Sequence, residues 1–222
     1  MLELAAGTGR LAVPLAARGN RVTAVDIDPA MLARAKARAT AAGPSASEHL
    51  TFVEADLVGL RLPEATRFGL AFIALNSILL LPGRTAQRAA VAALADHLAQ
   101  GGVAVVDVWL PDADDLARCD GRVVLEWPRE DTETGELVTK SGSAQHDAAT
   151  GTITLTTMFE ASGQGGPTRR WVRRDRMRLV SAVELAAWAE EAGLTVELMA
   201  GGYDLGVLGP GSERAVLIAI KP

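Results

Sequence analysis

The chain has 222 residues, 49% of them hydrophobic, with a formal charge of −5 and a pI near 5.3. That length suits one sizeable α/β domain, and the acidity argues against a general nucleic-acid or anionic-membrane binder. Cys119 is the single cysteine, which excludes a disulfide framework and a cysteine-rich metal site; with no basic, apolar leader before the first strand, a cytoplasmic protein without a metal is expected.

MLELAA (1–6) reads as a buried strand and 10–18 as a helix, with Pro14 early enough for its missing N–H to be tolerated. RVTAVDI (21–27) is a second strand. Asp28 then caps a helix with Pro29 at its first position, and the helix runs to Gly43-Pro44. LTFVEAD (50–56) and FGLAFIAL (68–75) are the third and fourth strands. The apolar run 68–81 is broken by Asn76 and Ser77 and is too short to span a bilayer. A helix at 84–99 leads through Gly101-Gly102 into VAVVDVW (103–109), the fifth strand. Such alternation predicts a parallel sheet with helices on both faces.

From 111 to 180 no helix is predicted. RVVLEW, ELVTKSGSAQ, TITLTTMFE and RRWVRRDRMRL are β-rich runs between turn clusters, an antiparallel insertion into an α/β domain formed by 1–110 and 181–222. In RRWVRRDRMR (169–178), Arg170, Arg174, Arg176 and Arg178 share one strand face. Arginines in that pattern suit an anionic substrate. Pairing with the acidic run 126–136 is favoured, because the same insertion supplies the acids. SAVELAAWAEEAG is a helix capped by Ser181 with Glu184 and closed by Gly193, and strands at 195–200 and 214–220 follow.

Gly7, Gly9 and Ala12 fit G-x-G-x-x-A at the end of the first strand, a turn that lets backbone approach an adenosine cofactor, NAD included. Glu3, just before the glycines, gains little beside a pyrophosphate but would orient a cationic amino group. Asp26 ends the second strand, where an acid accepts ribose hydroxyls, and Asp56 ends the third, where one accepts from an adenine amino group.

With these residues in place, LELAAGTGR, VDIDPAML, VEADL and FGLAFIALNSILLL resemble the four motifs of class I S-adenosylmethionine-dependent methyltransferases. The segment from RMRLVSAVELAAWAEEAG to ERAVLIAI resembles the ending of their small-molecule branch, which includes sugar amine N-methyltransferases. The resemblance covers nearly all of the chain except 111–170. It implies a Rossmann-like α/β sheet of seven strands with an antiparallel last strand, and S-adenosyl-L-methionine as cofactor. Glu3, Ala5, Gly7 and Gly9 would hold the methionine part, Asp26 the ribose, Ile27 one adenine face, and Asp56 with the Leu57 amide the adenine edge; Leu75, closing the fourth strand, completes the set. Ala5 stands where the family more often has Gly, and Gly69 where members often have Asp.

The acceptor side is less defined. Asn76 and Ser77 open into the cleft, and Asn76, His146 and Tyr203 are the candidate catalytic groups; a capping role for Asn76 and Ser77 is an equal alternative. Asp107 and Asp204 would face the substrate. His49, His97 and His146 are all expected at the surface, His146 least firmly. The resemblance implies methyl transfer to an N or O nucleophile of a small molecule by in-line displacement. A catalytically silent binding module and an NAD-dependent oxidoreductase are the alternatives. The insertion would cover the cleft or join a homodimer. Relatives usually place helices before the first motif, so either the start is misassigned or truncated, or the insertion or a partner chain supplies that cover.

Overall fold

A computed structural model describes residues 1–63, 66–132, 134–163 and 166–222. It divides into two units, Met1–Leu110 with Val180–Pro222, and Pro111–Leu179. In chain order the first unit supplies β1 (Leu2–Leu4), α1 (Ala12–Ala17), β2 (Val22–Asp26), α2 (Pro29–Ala42), α3 (Pro44–His49), β3 (Leu50–Glu54), β4 (Phe68–Ile73), α4 (Gly83–His97) and β5 (Leu98–Trp109). The second contains α5 (Ala113–Arg118), β6 (Asp120–Glu130), β7 (Leu137–Asp147), β8 (Thr152–Ser162) and β9 (Arg169–Arg178). The chain returns to the first with α6 (Ala182–Glu191), β10 (Thr195–Ala200) and β11 (Arg214–Ile220).

Seven strands form one sheet in the order β10-β11-β5-β4-β1-β2-β3. β1 pairs in parallel with β2 and β4, whereas β11 is antiparallel to both β5 and β10. The predicted antiparallel last strand is therefore present. From β1 the chain steps one way to β2 and β3, and from β4 the other way to β5. Right-handed crossovers then put α1 and α2 on one face and α4 on the other. Strand order reverses between β1 and β4, and ligands of open α/β sheets bind outside the carboxyl ends of the strands at such a point.

Both faces of the central strand are covered: Leu2 and Leu4 on one face are fully buried, and Glu3 on the other is 3% exposed. Ala12 and Ala16 of α1 are buried with Ala6 and with Val22 and Ala24 of β2, and Ala90, Val91 and Leu94 of α4 together with Leu185 and Trp188 of α6 are likewise buried. Asp28 caps α2 as expected, its Oδ1 accepting from the Ala30 and Met31 amides. α3 was not expected. Gly43, at φ 105°, ends α2, and Pro44 starts a new helical turn at the position proline tolerates. α5 also departs from the helix-free reading of 111–180. Asp112 and Asp115 cap each other's backbone there, a short-range signal that six residues without an apolar stripe do not otherwise advertise.

The second unit is a four-stranded antiparallel sheet, β6-β7-β8-β9. Its arginines are only partly paired as expected. Arg169 takes Glu136, and Lys140 takes Glu126, both from the acidic run. Arg170 instead pairs with Glu160 on the adjacent strand and Arg173 with Asp175 on its own. Directly opposed positions decide this, because Arg170 faces Glu160 in the β8–β9 register. Glu133 of that run lies outside the described residues. Among the described residues no helix is long and apolar enough to cross a membrane.

Candidate functional site

The turn after β1 is built on positive backbone angles: Ala5 has φ 57°, Gly7 55° and Gly9 70°. The glycines serve different ends. A Cβ at Gly9 would meet Val13 Cγ2 at 3.0 Å and Ala35 Cβ at 3.1 Å, so its bareness lets α1 and α2 close together. A Cβ at Gly7 would meet nothing within 4 Å, so its bareness keeps space open above the turn. Ala5 occupies the left-handed region at some cost to a residue with a Cβ, which explains why glycine suits this position better.

Glu3 lies within β1 with 3% of its surface exposed. The Ala12 backbone lies near enough to favour the ionised form of Glu3, but its Oε2 is buried and has no partner. Burial, reinforced by the Asp26 charge, pushes its pKa up to about 8 against the opposing pull of the Ala12 amide and Arg10. A buried acid with an unpartnered oxygen is costly unless something cationic or proton-donating meets it.

Asp26 binds the two halves of the edge together. Its Oδ2 accepts the Gly7 amide at 2.7 Å and its Oδ1 the Asp28 amide at 2.9 Å. Each carboxyl oxygen can accept twice, so capacity for hydroxyl groups remains. Ile27 is 65% exposed, an apolar surface beside that acid. Asp56 turns its Oδ1 to the Val58 amide at 2.8 Å, engaging one of its two oxygens in the Asx turn. Leu57 beside it is buried.

At the end of β4, Leu75 (φ 62°) and Asn76 (φ 64°) are consecutive left-handed residues. Ser77 satisfies the turn locally, its Oγ donating to Ala74 O at 2.8 Å. Asn76 makes no cap for the 3-10 turn 77–80, and its Oδ1 is buried without a partner, so the paired capping role fits Ser77 alone. Asp107 on β5 is 2% exposed. It accepts the Leu75 amide at 2.6 Å, the Tyr203 hydroxyl at 2.9 Å and the Arg214 guanidinium. Arg214 also lies over the Tyr203 ring, 4.5 Å from its centroid. Partial burial and the Asp107 bond raise the Tyr203 pKa, against Arg214 and Arg10.

Thus Glu3, Ala5, Gly7, Gly9, Asp26, Ile27, Asp56, Leu57, Leu75, Asn76, Asp107 and Tyr203 fall in one unit, the glycine turn and the acids on the carboxyl side of its strands. His146 is on β7 in the other unit, its amide donating to Cys119 O. His97 corrects the expectation of a surface histidine: it is 4% exposed, with Nδ1 on Ala93 O and Nε2 accepting the Leu62 amide. Both ring nitrogens serve the backbone, because His97 ends α4 where it turns beneath the sheet edge. Arg214 and Arg10 were given no role from the sequence, although LELAAGTGR ends on Arg10 and ERAVLIAI contains Arg214; only the fold brings Arg214 to Asp107. Among the described residues no cluster of His, Cys, Asp and Glu could hold a metal ion.

A strand-turn-helix loop with a buried acid before it, and an acid at or just past the end of each of the next two strands, thus meet at the carboxyl edge of the seven-stranded sheet. Among known families, residues 1–102 match the model of a methyltransferase domain. The whole chain is similar to the CcbJ methyltransferase from Streptomyces caelestis, at 26% identity and a TM-score of 0.82, covering 100% of this chain and 88% of that one. It shares its fold with CalS10, an amino pentose methyltransferase from Micromonospora echinaspora, at 21% identity and TM-score 0.74, covering 100% and 82%. A 43-residue stretch is 51% identical to an uncharacterised protein of Mycobacterium tuberculosis, spanning 19% of this chain and 16% of that protein's length. Residues 1–102 thus match a methyltransferase domain, and the whole chain has the fold of a methyltransferase.

Proposed function

We propose that the chain binds S-adenosylmethionine along the carboxyl edge of β1, β2 and β3 and transfers its methyl group in line to an N or O nucleophile of a small molecule. The observation that carries this is the unpartnered, buried Oε2 of Glu3 next to an open glycine turn. The residues fit the cofactor. Glu3 would receive its ammonium, the Ala5–Gly9 turn its methionine chain, Asp26 the ribose hydroxyls, Ile27 an adenine face, and Asp56 with Leu57 the adenine edge. A dinucleotide would gain little from Glu3 beside its pyrophosphate, whereas Asp26 would serve a ribose in either cofactor.

Bound cofactor supplies an activated methyl on a sulfonium, so the protein's task is alignment and exclusion of water. Orientation alone is worth effective molarities of roughly 10⁵ M or more. Asn76 Oδ1, an acceptor without a partner, suits an N–H or O–H of the methyl acceptor. CalS10 is named as an amino pentose methyltransferase and KedS8 as a sugar N-methyltransferase, which favours an amine on a sugar or related metabolite. Titration calorimetry with S-adenosylhomocysteine and with NAD tests the cofactor. Labelled methyl transfer from S-adenosylmethionine to a panel of amino sugars, amines and phenols tests the reaction. Binding of NAD alone would reverse the assignment, and cofactor binding with no transfer to any acceptor would favour a silent module.

The second sheet is the proposed contact of a homodimer. Its β6 and β9 are outer strands with Val123, Leu125, Trp171 and Val172 at least half exposed or close to it, and open edges invite pairing. Light scattering of the intact chain should give twice the monomer mass; a monomer at micromolar concentration would refute this.

A further inference from the structure

Asp107 is a buried acid that the cofactor site does not use. Three groups from distant parts of the chain converge on it: the Leu75 amide, the Tyr203 hydroxyl and the Arg214 guanidinium. In the β5–β11 register it stands opposite Val216, and Val106 before it is the last β5 residue paired with β4, opposite Ile73. Asp107 is therefore the first residue past the β4–β5 ladder. Its Oδ1 continues that ladder by taking the amide of Leu75, one of two successive left-handed residues. Its Oδ2 takes the Tyr203 hydroxyl and Arg214. Non-glycine residues hold this conformation only when surroundings over-determine it.

Tyr203 belongs to the loop 201–213, which is closed on itself by the Gly201 amide on Gly206 O and by the Ala200–Val207 bridge. That loop reaches the cofactor turn electrostatically, since the Arg10 charge acts on both Tyr203 and Glu3. We infer that Asp107 is a positioning residue that ties the strained Leu75–Asn76 turn to the Tyr203 loop, so that Asn76 and the Tyr203 ring are presented together on the acceptor side of the site. One oxygen sets the turn and the other sets the aromatic ring; Arg214 offsets the buried charge and stacks on that ring.

This rests on the methyltransferase reading of the same edge, and the experiment separates the two. Tyr203 is the only tyrosine in the chain, so one ¹³C-labelled tyrosine resonance reports it without assignment. That resonance, its pH titration, the amide exchange rate of Leu75 and the affinity for S-adenosylhomocysteine are measured for the intact chain, Asp107→Ala and Arg214→Met. In Asp107→Ala, which removes both acceptor oxygens, Leu75 should exchange at least tenfold faster and Tyr203 should ionise at lower pH. S-adenosylhomocysteine affinity should stay within threefold. In Arg214→Met the Leu75 bond remains and Tyr203 should ionise at higher pH, the opposite movement. This second variant carries the test if Asp107→Ala fails to fold. Unchanged Leu75 exchange in a folded Asp107→Ala, or Tyr203 titrations that do not part in opposite directions, overturns the proposal. An intact chain that binds no S-adenosylhomocysteine overturns the cofactor reading instead, whatever Leu75 does.

Discussion

Glu3 makes cofactor binding depend on pH, in a window well above that of an ordinary surface carboxylate. Its pKa is raised to about 8 chiefly by burial, so at pH 7 about nine-tenths of the cofactor-free protein carries it protonated. An ammonium arriving at Oε2 favours the ionised form, so binding must expel that proton. If the complex holds the acid ionised down to pH 6, S-adenosylhomocysteine affinity should tighten by about twentyfold from pH 6 to 7.5, approaching a decade per unit. Glu3→Gln should abolish the slope. Calorimetry in buffers of different ionisation enthalpy should show close to one proton released at pH 6.5 in the parent and none in the variant.

Stability moves the other way. The folded state holds this proton more tightly than the unfolded chain, so the parent is most stable at or below the usual carboxylate range and loses stability as pH rises towards 8. The ceiling on that loss by pH 7.5 is about 4 kcal/mol. Urea unfolding should therefore show Glu3→Gln gaining on the parent as pH rises. Affinity that is flat between pH 6 and 7.5, or a slope that survives in Glu3→Gln, would refute the argument.

The two glycines should separate. Gly9→Ala meets Val13 and Ala35 and should cost roughly 1–3 kcal/mol of stability by urea unfolding, whereas Gly7→Ala should cost only about 1 kcal/mol for its backbone angle and weaken S-adenosylhomocysteine more. Asp26→Ala should weaken S-adenosylhomocysteine by about 1.5–3 kcal/mol by calorimetry, while Asp28→Ala, which removes a helix cap, should lower stability by about 1 kcal/mol and leave affinity nearly intact. Ala5→Gly should raise the Tm modestly, by up to about 1 kcal/mol of stability, because it relieves a left-handed alanine against the greater freedom of glycine when unfolded.

What the sequence disclosed and what it withheld differ in range. Gly7 and Gly9 set a tight turn and Asp28 caps the helix turn that follows it, so their spacing announces them, although the closeness of Gly9 to Ala35 is not announced. Asp26 reaches back 19 residues to the Gly7 amide, yet it too is legible, because a parallel β1–β2 pair places consecutive strand ends side by side. Asp107 joins Tyr203 and Arg214 across 96 and 107 residues. No period or motif links these three, and Asp107 could be noted only as an acid at a strand end. His97 misled for a related reason. On an acidic chain a helical histidine reads as solvated, and only the fold shows Leu62 closing over its ring. The strands of the second sheet were legible as β-rich runs, but the choice of Glu160 over the acidic segment for Arg170 depends on register, which composition does not contain.

The distribution of backbone strain ties these observations together. Among the described residues, the non-glycine positions with positive φ are Ala5, Leu75, Asn76 and Leu205. They lie after β1, after β4 and in the β10–β11 loop, whose β11 end begins opposite Trp109 at the carboxyl end of β5. All four are thus on the edge where the strand order reverses. Each costs on the order of 1–2 kcal/mol relative to a glycine-compatible or relaxed turn, and chance would scatter them over loops at both ends of the sheet. The same edge holds the unpartnered oxygens of Glu3 and Asn76. Strain and unmet hydrogen-bonding capacity are both unfavourable to the isolated fold, and their coincidence is what a site shaped for a ligand requires. The buried alanines of α1 and the Leu, Val and Trp side chains of α4 and α6 offset them from within the first unit. Burial on the covered faces of the sheet thus offsets the cost of the strained, unsatisfied groups at its carboxyl edge.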